Sequence, residues 1–418
     1  RRHPFQEGRA CAGVREAYDA IVGGAGPTGS SAARLLAERG WSVLLVEEHP
    51  QVGIPVQCAG LVTPRTFNHT PFPIGDLWQN DLTGGRVHSP DGTAVEFDGK
   101  AVHAQAMDRA RFDQRMAEHA VRAGVELRTA TKAVEARRDP LGVTVAFQGP
   151  EGRATARCRL LVGADGIRGS VARWFDFPPV QEIVSCYEAE LVGCRIPPDK
   201  PHIIPMFAGH DAAPGFFSWI IPVGGDRARA GLAVAPGMNE QSARAYYERM
   251  FTDPLSAPYL AGAKPTYLII GGIPLGLRSQ LVQDRVMLVG DAAGMAKPTS
   301  GGGIYYGLVA SGFLAEVADR GLRTDRLSRG DLLPYERKVR RVLGRELRKG
   351  NALRAIYKRF RDADFDRLAR LLAKPRPRAV IERVGDIDYP SRLVLPLLWA
   401  EPRLAPFFLR VLLRPGAP

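Results

Sequence analysis

The sequence predicts an α/β protein in which a Rossmann-like nucleotide-binding domain carries an inserted antiparallel β-sheet domain and a C-terminal helical segment. Three observations predict this fold class. Strand, glycine turn and helix follow one another at the start of the chain, and two more strand-to-turn units occur near residues 160–173 and 286–307. Residues 180–266 instead alternate short apolar runs with Gly and Pro, as antiparallel sheets do. Apolar residues at helical spacing then fill much of residues 331–418.

The first unit, residues 18–48, reads YDAIVGGAGPTGSSAARLLAERGWSVLLVEE and divides into strand, turn, helix and second strand. The turn holds Gly24, Ala25, Gly26 and Gly29, with its glycines at GxGxxG spacing. In such a turn the first glycine permits the bend, the second admits a pyrophosphate and the third lets helix and strand pack closely. The helix start supplies amide donors to the phosphates, and Glu47 at the end of the next strand would accept a hydrogen bond from a ribose. The unit therefore predicts a dinucleotide site.

Two later turns extend this site and favour FAD over NAD. LLVGADGIRGSVAR places Asp165 and Gly166 after a strand, and VMLVGDAAGMAKPTSGGGIYYG places Asp291 after another and runs through Gly301–Gly303 into a helix. Three turns from distant parts of the chain suit a long ligand that lies across the ends of a parallel sheet. An Asp beside ribityl hydroxyls and a helix start beside a flavin carbonyl would suit FAD, because the helix dipole stabilises the negative charge of the reduced ring.

The motifs and their order along the chain resemble those of the geranylgeranyl reductase family. The members of this family are FAD-dependent enzymes of the p-hydroxybenzoate hydroxylase-like group. The set comprises the first glycine turn, PVQCAGL at 55–61, MDRARFD at 107–113, GADG, and GDAAG followed by GGGIYYG. The resemblance covers about residues 18–320. It implies that FAD is lined by Glu47, Cys58, Ala59, Leu61, Arg109, Ala133, Asp291, Gly303 and Ile304. Ala59 stands where Gly is common in the family.

A segment typical of the reductases, PxxYxWxFP, has a counterpart in PGFFSWIIP at 214–222. The resemblance implies substrate contacts for Phe217, Trp219 and Pro222, although Phe217 replaces the usual Tyr and its hydroxyl is lost. Met206, Phe207 and Phe216 would complete a largely apolar pocket, with ordinary core packing as the alternative for each aromatic residue. An apolar lining suits an isoprenoid chain.

The resemblance implies a reductase that hydrogenates C=C bonds of a polyprenyl chain on a lipid, quinone or diphosphate. The alternative is an FAD-dependent monooxygenase on the same scaffold. Cys58 is a candidate proton donor to the alkene, because an ordinary thiol has a pKa of ~8.5 and is protonated at neutral pH. It could equally be a small residue that lets the chain approach the flavin ring. The electron donor, NAD(P)H or a ferredoxin, is left open.

The motifs also predict domain boundaries. Residues 1–17 begin without Met, lack an apolar signal-peptide core and are expected to form an N-terminal extension. Residues 18–76, 101–178 and 267–330 are assigned to the FAD-binding domain. Residues 77–100 and 179–266 are assigned to the substrate, or cap, domain, and residues 331–418 to a basic helical region.

Composition narrows the partners. The chain has 418 residues and a net charge of +13. Its five cysteines include no pair at CxxC spacing, which argues against a disulfide framework and against metal ligation. The cysteine usage therefore favours a reducing, cytoplasmic compartment. Between residues 335 and 383, 17 Lys or Arg stand against 6 Asp or Glu. This basic block could be a solvated helical face or could contact an anionic membrane. No nucleic-acid recognition module is visible, so no nucleic-acid partner is expected. The apolar segment from residue 388 could be a packed helix pair or an interfacial contact with lipid.

Overall fold

A computed structural model describes residues 15–238 and 240–414. Residues 1–14 of the predicted extension lie outside this range. The strands are β1 (Ala17–Gly23), β2 (Val43–Val46), β3 (Leu61–Val62), β4 (Trp78–Leu82), β5 (Gly84–His88), β6 (Ala94–Asp98), β7 (Ala104–Met107), β8 (Glu126–Arg128), β9 (Lys132–Asp139), β10 (Gly142–Gly149), β11 (Gly152–Gly163), β12 (Glu182–Val192), β13 (Ile203–Ala208), β14 (Phe217–Gly224), β15 (Arg227–Val234), β16 (Lys264–Leu275), β17 (Val282–Gln283) and β18 (Val286–Leu288). The helices are α1 (Pro27–Ala37), α2 (Arg109–Arg122), α3 (Val171–Trp174), α4 (Ala243–Arg249), α5 (Ala257–Leu260), α6 (Ile304–Thr324), α7 (Arg329–Val342), α8 (Gly344–Tyr357), α9 (Asp362–Leu372), α10 (Pro375–Val384), α11 (Val394–Ala400) and α12 (Leu404–Leu412).

The first sheet has the order β17-β18-β11-β1-β2-β8, and the pairs β18-β11, β11-β1, β1-β2 and β2-β8 are parallel. Its strands carry almost continuous apolar runs, such as VLLV in β2, because helices cover both faces of a parallel sheet. β10 pairs with β11 and with β9, and both pairs are antiparallel. The predicted Rossmann-like domain is confirmed.

The second sheet, the cap sheet, has seven strands in the order β16-β12-β15-β14-β13-β5-β6. All of its neighbouring pairs are antiparallel except β13 with β5. The predicted inserted antiparallel sheet is therefore confirmed. β16 crosses the predicted boundary between residues 266 and 267, and β7 pairs with β3 and with β4 in a separate three-stranded sheet.

The C-terminal region is helical, as predicted, and α7 begins with a capping box between Ser328 and Asp331. Part of the basic block is buried. Arg354 of α8 donates hydrogen bonds to both carboxylate oxygens of Glu182, at 2.9 and 3.0 Å, and to the carbonyl of Gly215, at 2.7 Å. α8 is thus tied to the start of β12 and to the residues just before β14, and a solvated face describes only part of the block.

Candidate functional site

The glycine turn after β1 leaves an open space at one of its three glycines. A Cβ on Gly24, whose φ is +96°, would lie 2.5 Å from the carbonyl oxygen of Ala164, and a Cβ on Gly29 would lie 1.9 Å from the carbonyl oxygen of Gly24. A Cβ on Gly26 would meet no protein atom within 4 Å. Gly24 and Gly29 therefore close the turn, while Gly26 leaves room for a ligand at the N-terminus of α1, which has no side-chain cap.

The carboxylate of Glu47 lies beside this turn. Its Oε2 accepts a hydrogen bond from the amide of Ala25 at 3.0 Å, and its Oε1 accepts one from the amide of His49 at 3.1 Å and contacts His49 Nδ1 at 2.5 Å. These contacts hold the acid at the end of β2, next to the amides expected to face phosphate. The contact of Glu47 with a ribose stays a prediction.

The two carboxylate oxygens of Asp165 differ in their contacts. Its Oδ2 accepts hydrogen bonds from the amides of Ser170, at 2.6 Å, and Val171, at 3.0 Å, which hold the turn before α3. Its Oδ1 is buried and has no hydrogen-bond partner within the described chain. Burial raises the pKa of this carboxyl, although the amides oppose the rise. An unpartnered buried oxygen is costly, so this atom is suited to a ligand hydroxyl.

The third turn places Asp291 and Gly303 against each other. A Cβ on Gly303 would lie 2.9 Å from Asp291 Oδ1, so glycine leaves room for the carboxylate. The side chain of Asp291 is exposed, yet the many protein atoms around it raise its pKa, against the opposing effect of Arg109. α6 starts at Ile304 without a side-chain cap, so its first amides are available to a ligand.

Arg109, Asp113 and Cys58 form the charged centre between these turns. Arg109 Nε and Nη2 donate to the two carboxylate oxygens of Asp113 at 2.8 and 2.9 Å. Burial acts to lower the pKa of Arg109, but Asp113 and the hydrogen-bonded thiol of Cys58 raise it. Burial raises the pKa of Asp113, and Glu47 adds to this effect while Arg109 opposes it. The guanidinium of Arg109 therefore stays charged beside the side chain of Cys58.

The loop that carries Cys58 is fixed from the cap sheet. Arg229 of β15 is 4% exposed, and its Nη1 donates to the carbonyls of Ala59, at 2.7 Å, and Met107, at 3.1 Å. Gly60, with φ of +64°, donates its amide hydrogen to Cys58 Sγ at 3.4 Å and accepts at its carbonyl from the amide of Met107 at 2.9 Å. The Cys58–Gly60 backbone is thus held in one conformation.

The aromatic residues of the PGFFSWIIP segment face this loop. Phe216 and Phe217 stack with ring centroids 4.7 Å apart, and Phe217 meets Trp219 edge to face at 5.7 Å. Met206 pairs with Trp219 across β13 and β14. All four belong to an apolar cluster that also includes Ala59 and Leu61.

Two of the predicted pocket residues lie elsewhere. Phe207 packs into a different core and stacks on His88 at 5.1 Å, because adjacent residues of a strand point to opposite faces. The prediction that Phe207 joins the pocket is wrong. The same alternation along β14 separates Pro222 from Phe217 and Trp219, so the structure does not bring Pro222 to their face.

Two further predicted contacts, Ala133 and Ile304, pack in two different apolar clusters. Ala133 is on β9 opposite Phe147 and packs against the main core. Ile304 packs against the cluster around Val62 and Met107. Ala133 lies two residues after Thr131, whose amide donates a hydrogen bond to the carbonyl of Glu47 at 2.8 Å, so it is close to the end of β2.

The C-terminal segment closes one side of the site through a buried ion pair. Lys297 Nζ lies 2.6 Å from Asp388 Oδ1, and Thr63 donates to Asp388 Oδ2 at 2.6 Å. The Tyr306 hydroxyl donates to the carbonyl of Asp388 at 2.6 Å. Residues from the third turn and from α6 are thereby joined to the segment before α11.

These features fit FAD. The open space at Gly26, the unpartnered oxygen of Asp165 and the two uncapped helix starts lie on the three turns predicted to hold it. No group of three or more His, Cys, Asp or Glu side chains able to hold a metal ion occurs in residues 15–238 and 240–414.

The sequence and fold have close counterparts. A family model described as FAD binding domain matches residues 17–309. Digeranylgeranylglycerophospholipid reductase 1 of Methanothermobacter thermautotrophicus is 30% identical over 390 residues, which are 87% of this chain and 97% of the relative. The chain belongs to the geranylgeranyl reductase family. It is an FAD-dependent oxidoreductase of this type.

Two further similarities accompany this family membership. Digeranylgeranylglycerophospholipid reductase of Methanocaldococcus jannaschii is 29% identical over 402 residues, covering 94% of this chain and 98% of the relative. A geranylgeranyl bacteriochlorophyll reductase-like protein from Thermoplasma acidophilum has a crystal structure that superposes with a TM-score of 0.84 at 20% identity, covering 95% of this chain and 99% of that one. The geranylgeranyl reductase fold therefore extends over nearly the whole chain.

In this member of the geranylgeranyl reductase family, three buried charged residues around the site escaped the sequence reasoning. Arg229 lies in RARAGLAV, Glu188 in CYEAELV and Asp388 in DIDYP. A charged residue amid the apolar runs of a cap strand signals a buried polar contact, which could have pointed to the first two. Nothing local marks Asp388, because its partner Lys297 is distant in sequence.

Proposed function

We propose that this chain reduces C=C bonds of geranylgeranyl chains carried by a glycerophospholipid. The observation that carries the proposal is the apolar face formed by Phe216, Phe217 and Trp219, which packs in one cluster with Leu61 and with Ala59, the residue that follows Cys58. Such a face suits a flexible isoprenoid chain, and the relatives described above are named for reductases of geranylgeranyl lipids. When bound and reduced, FAD supplies the hydride.

The remaining proton has a candidate source in Cys58. The neighbouring guanidinium of Arg109 would stabilise the sulfur after the proton leaves, and Arg229 keeps the loop in place. We expect Cys58→Ser to retain FAD and to lose alkene reduction, whereas the alternative, a small residue that only admits the ring, predicts activity close to that of the unaltered protein.

The test of the function is an anaerobic incubation of the FAD-loaded protein, reduced with dithionite, with geranylgeranyl phospholipids, quinones and diphosphates. The proposal predicts lipid products heavier by two hydrogens for each reduced bond. Hydroxylated products that require oxygen would contradict it and would favour a monooxygenase.

A membrane surface is part of the same proposal, because its substrate resides in a bilayer. Large apolar side chains protrude from α11, α12 and the residue that follows: Trp399 is 90% exposed, Leu395 and Leu413 are each 74% exposed, and Leu409 is 55% exposed. Single exposed apolar residues are ordinary, but a group of this size in one short segment indicates an interaction surface. Tryptophan favours the interface between water and lipid.

Charge favours an anionic bilayer as the partner. Arg337, Arg341, Arg345 and Arg348 are exposed at intervals of three or four residues along α7 and α8. They form no ion pair with any residue in the described part of the chain. Each such cation near an anionic membrane surface gains about 1 kcal/mol. None of the described helices is long and apolar enough to span a membrane.

Vesicle co-sedimentation tests this surface. We expect the full chain to bind vesicles that contain an anionic phospholipid more tightly than zwitterionic vesicles. The double variant that combines Leu395→Ser and Trp399→Ser should bind the anionic vesicles about tenfold more weakly, or weaker still. Leu141→Ser is the matched control, since Leu141 is 78% exposed between β9 and β10. Equal binding by both variants would contradict the surface, as would a change in oligomeric state without a change in vesicle binding.

A further inference from the structure

Glu188 is a carboxyl buried in the middle of the cap sheet. It is 1% exposed, and its Oε2 accepts a hydrogen bond from Trp219 Nε1 at 2.7 Å. Its Oε1 is buried and has no hydrogen-bond partner in residues 15–238 and 240–414, where Glu188 also forms no ion pair. A buried charge without a cation is costly, so this acid would be expected to hold a proton.

The contact between Glu188 and Trp219 is possible because the residue between them on β15, Gly231, has no side chain. β15 lies between β12 and β14, and its Gly231 pairs with Glu188 on one side and with Trp219 on the other. A Cβ on Gly231 would lie 2.6 Å from the Cβ of Glu188. The side chains of Glu188 and Trp219 can therefore meet over β15. The carboxyl of Glu188 is thus positioned by β12, β15 and β14 together.

Cys186 connects this acid to the charged centre of the site. Val184, Cys186 and Glu188 share one face of β12 because side chains alternate along a strand. Cys186 packs in the apolar cluster with Ala59 and Leu61. Burial first, and then the charges of Glu188 and Cys58, raise the pKa of its thiol. Cys186 therefore has Glu188 two residues away on the same face of β12, and it shares an apolar cluster with Ala59, the residue that follows Cys58.

The other charged groups around Glu188 do not neutralise it. Arg229, from β15, uses its guanidinium on the carbonyls of Ala59 and Met107, on Gln79 and on Glu190. Burial raises the pKa of Glu188 to about 7, although the Trp219 hydrogen bond and Arg229 lower it and Glu190 raises it. Burial raises the pKa of Tyr247 in α4, and Tyr187, Cys194 and Glu188 add smaller effects in the same direction, so Tyr247 remains a neutral phenol.

We propose that Glu188 is the proton reserve of the reduction site and supplies, through Cys186 and Cys58, the proton that is added to the double bond. This inference rests on the function proposed above. The O–H bond of Glu188 breaks, each thiol accepts one proton as it releases another, and a C–H bond forms at the substrate. Water then reprotonates Glu188. The hydride that reduced FAD supplies brings the electron pair and the second hydrogen, so the two added hydrogens are accounted for.

Trp219 is the positioning residue in this scheme. Its indole N–H holds one oxygen of the carboxylate and favours the ionised form, so it lowers the pKa of Glu188. This gives the tryptophan of PGFFSWIIP a role beyond apolar packing. Trp219→Phe keeps an aromatic ring, removes the hydrogen bond and should raise the pKa of Glu188.

The test compares Glu188→Gln, Trp219→Phe and the FAD-loaded wild type in alkene reduction across a pH series. We expect Glu188→Gln to retain FAD and to lower steady-state turnover about tenfold or more, with loss of the ionisation near pH 7. Trp219→Phe should shift that ionisation to higher pH. Glu336→Gln, which alters a buried acid of α7, is the control and should leave the pH profile unchanged.

A measurement independent of activity accompanies these assays. The fluorescence of Trp219 should change as Glu188 ionises, so a pH titration of tryptophan emission should show a transition near pH 7 that Glu188→Gln removes. If wild-type protein reduces no lipid, the proposed function fails and the proton-supply role fails with it. If the wild type is active and Glu188→Gln matches its turnover and pH profile, the proton reserve alone is overturned.

Discussion

The glycine turn offers a prediction that separates cofactor binding from folding, because two of its glycines face different surroundings. Gly26 has φ of −63° and ψ of 177°, which alanine can adopt, and a Cβ there would meet no protein atom within 4 Å. A Cβ on Gly29 would lie 1.9 Å from the carbonyl oxygen of Gly24. Gly26→Ala should therefore fold normally and bind FAD poorly, whereas Gly29→Ala should fold poorly.

The magnitudes follow from these contacts. In Gly26→Ala, alanine lowers the entropy of the unfolded chain, which stabilises the fold, but it is a poorer N-cap than glycine, which destabilises α1. Because these two effects oppose each other, the free energy of unfolding should change by less than about 1 kcal/mol. The methyl group would occupy the space expected for pyrophosphate and should weaken FAD binding about tenfold or more, equivalent to about 1.4 kcal/mol. Gly29→Ala should destabilise the protein by about 3 kcal/mol, since the backbone must move to relieve the overlap.

Urea denaturation of the FAD-free protein and titration with FAD, followed by flavin absorbance, give both quantities for each variant. Gly312→Ala in α6 is the control: its Cβ also meets nothing within 4 Å, so it should stabilise the protein by about 0.5–1 kcal/mol and leave FAD affinity unchanged. Wild-type FAD affinity in Gly26→Ala would refute the assignment of the turn to pyrophosphate.

Three further predictions concern single acids. Glu47→Ala should weaken FAD binding by about 2 kcal/mol, measured by titration, because the carboxylate that holds the Ala25 amide is lost; unchanged affinity would contradict this. Asp388→Ala leaves Lys297 buried without its partner, so denaturation should show a loss of about 3–5 kcal/mol that Lys297→Met partly restores. Folding raises the pKa of Glu188 from 4.5 to about 7, so its protonated form stabilises the protein at low pH and this stabilisation is lost as pH rises through 7. Glu188→Gln should accordingly be more stable than wild type above pH 7, by at most about 3 kcal/mol, and a stability difference that does not vary with pH would contradict this.

The elements that sequence reasoning predicted are those with a local signature. The spacing of Gly24, Gly26 and Gly29 and the acid at residue 47 depend on one βαβ unit, and periodicity separates the parallel sheet from the cap sheet. The resemblance to a known family supplied the contacts of Cys58 and Arg109, which no local pattern carries.

The residues that were missed act through tertiary pairing. Arg229 reaches Ala59 from another sheet, and Glu188 meets Trp219 only because Gly231 lies between them. The misplacement of Phe207 has a related cause: the face to which a strand residue points depends on the register of β13 in the cap sheet, which apolar composition alone does not determine.

The central claim is that this FAD-dependent chain hydrogenates the isoprenoid chains of a lipid. The most direct measurement is the mass spectrum of a geranylgeranyl glycerophospholipid after anaerobic incubation with the dithionite-reduced, FAD-loaded protein. We predict products heavier by two hydrogens per reduced double bond, formed without oxygen. A lipid of unchanged mass, with the flavin bound and reduced throughout, would contradict the claim.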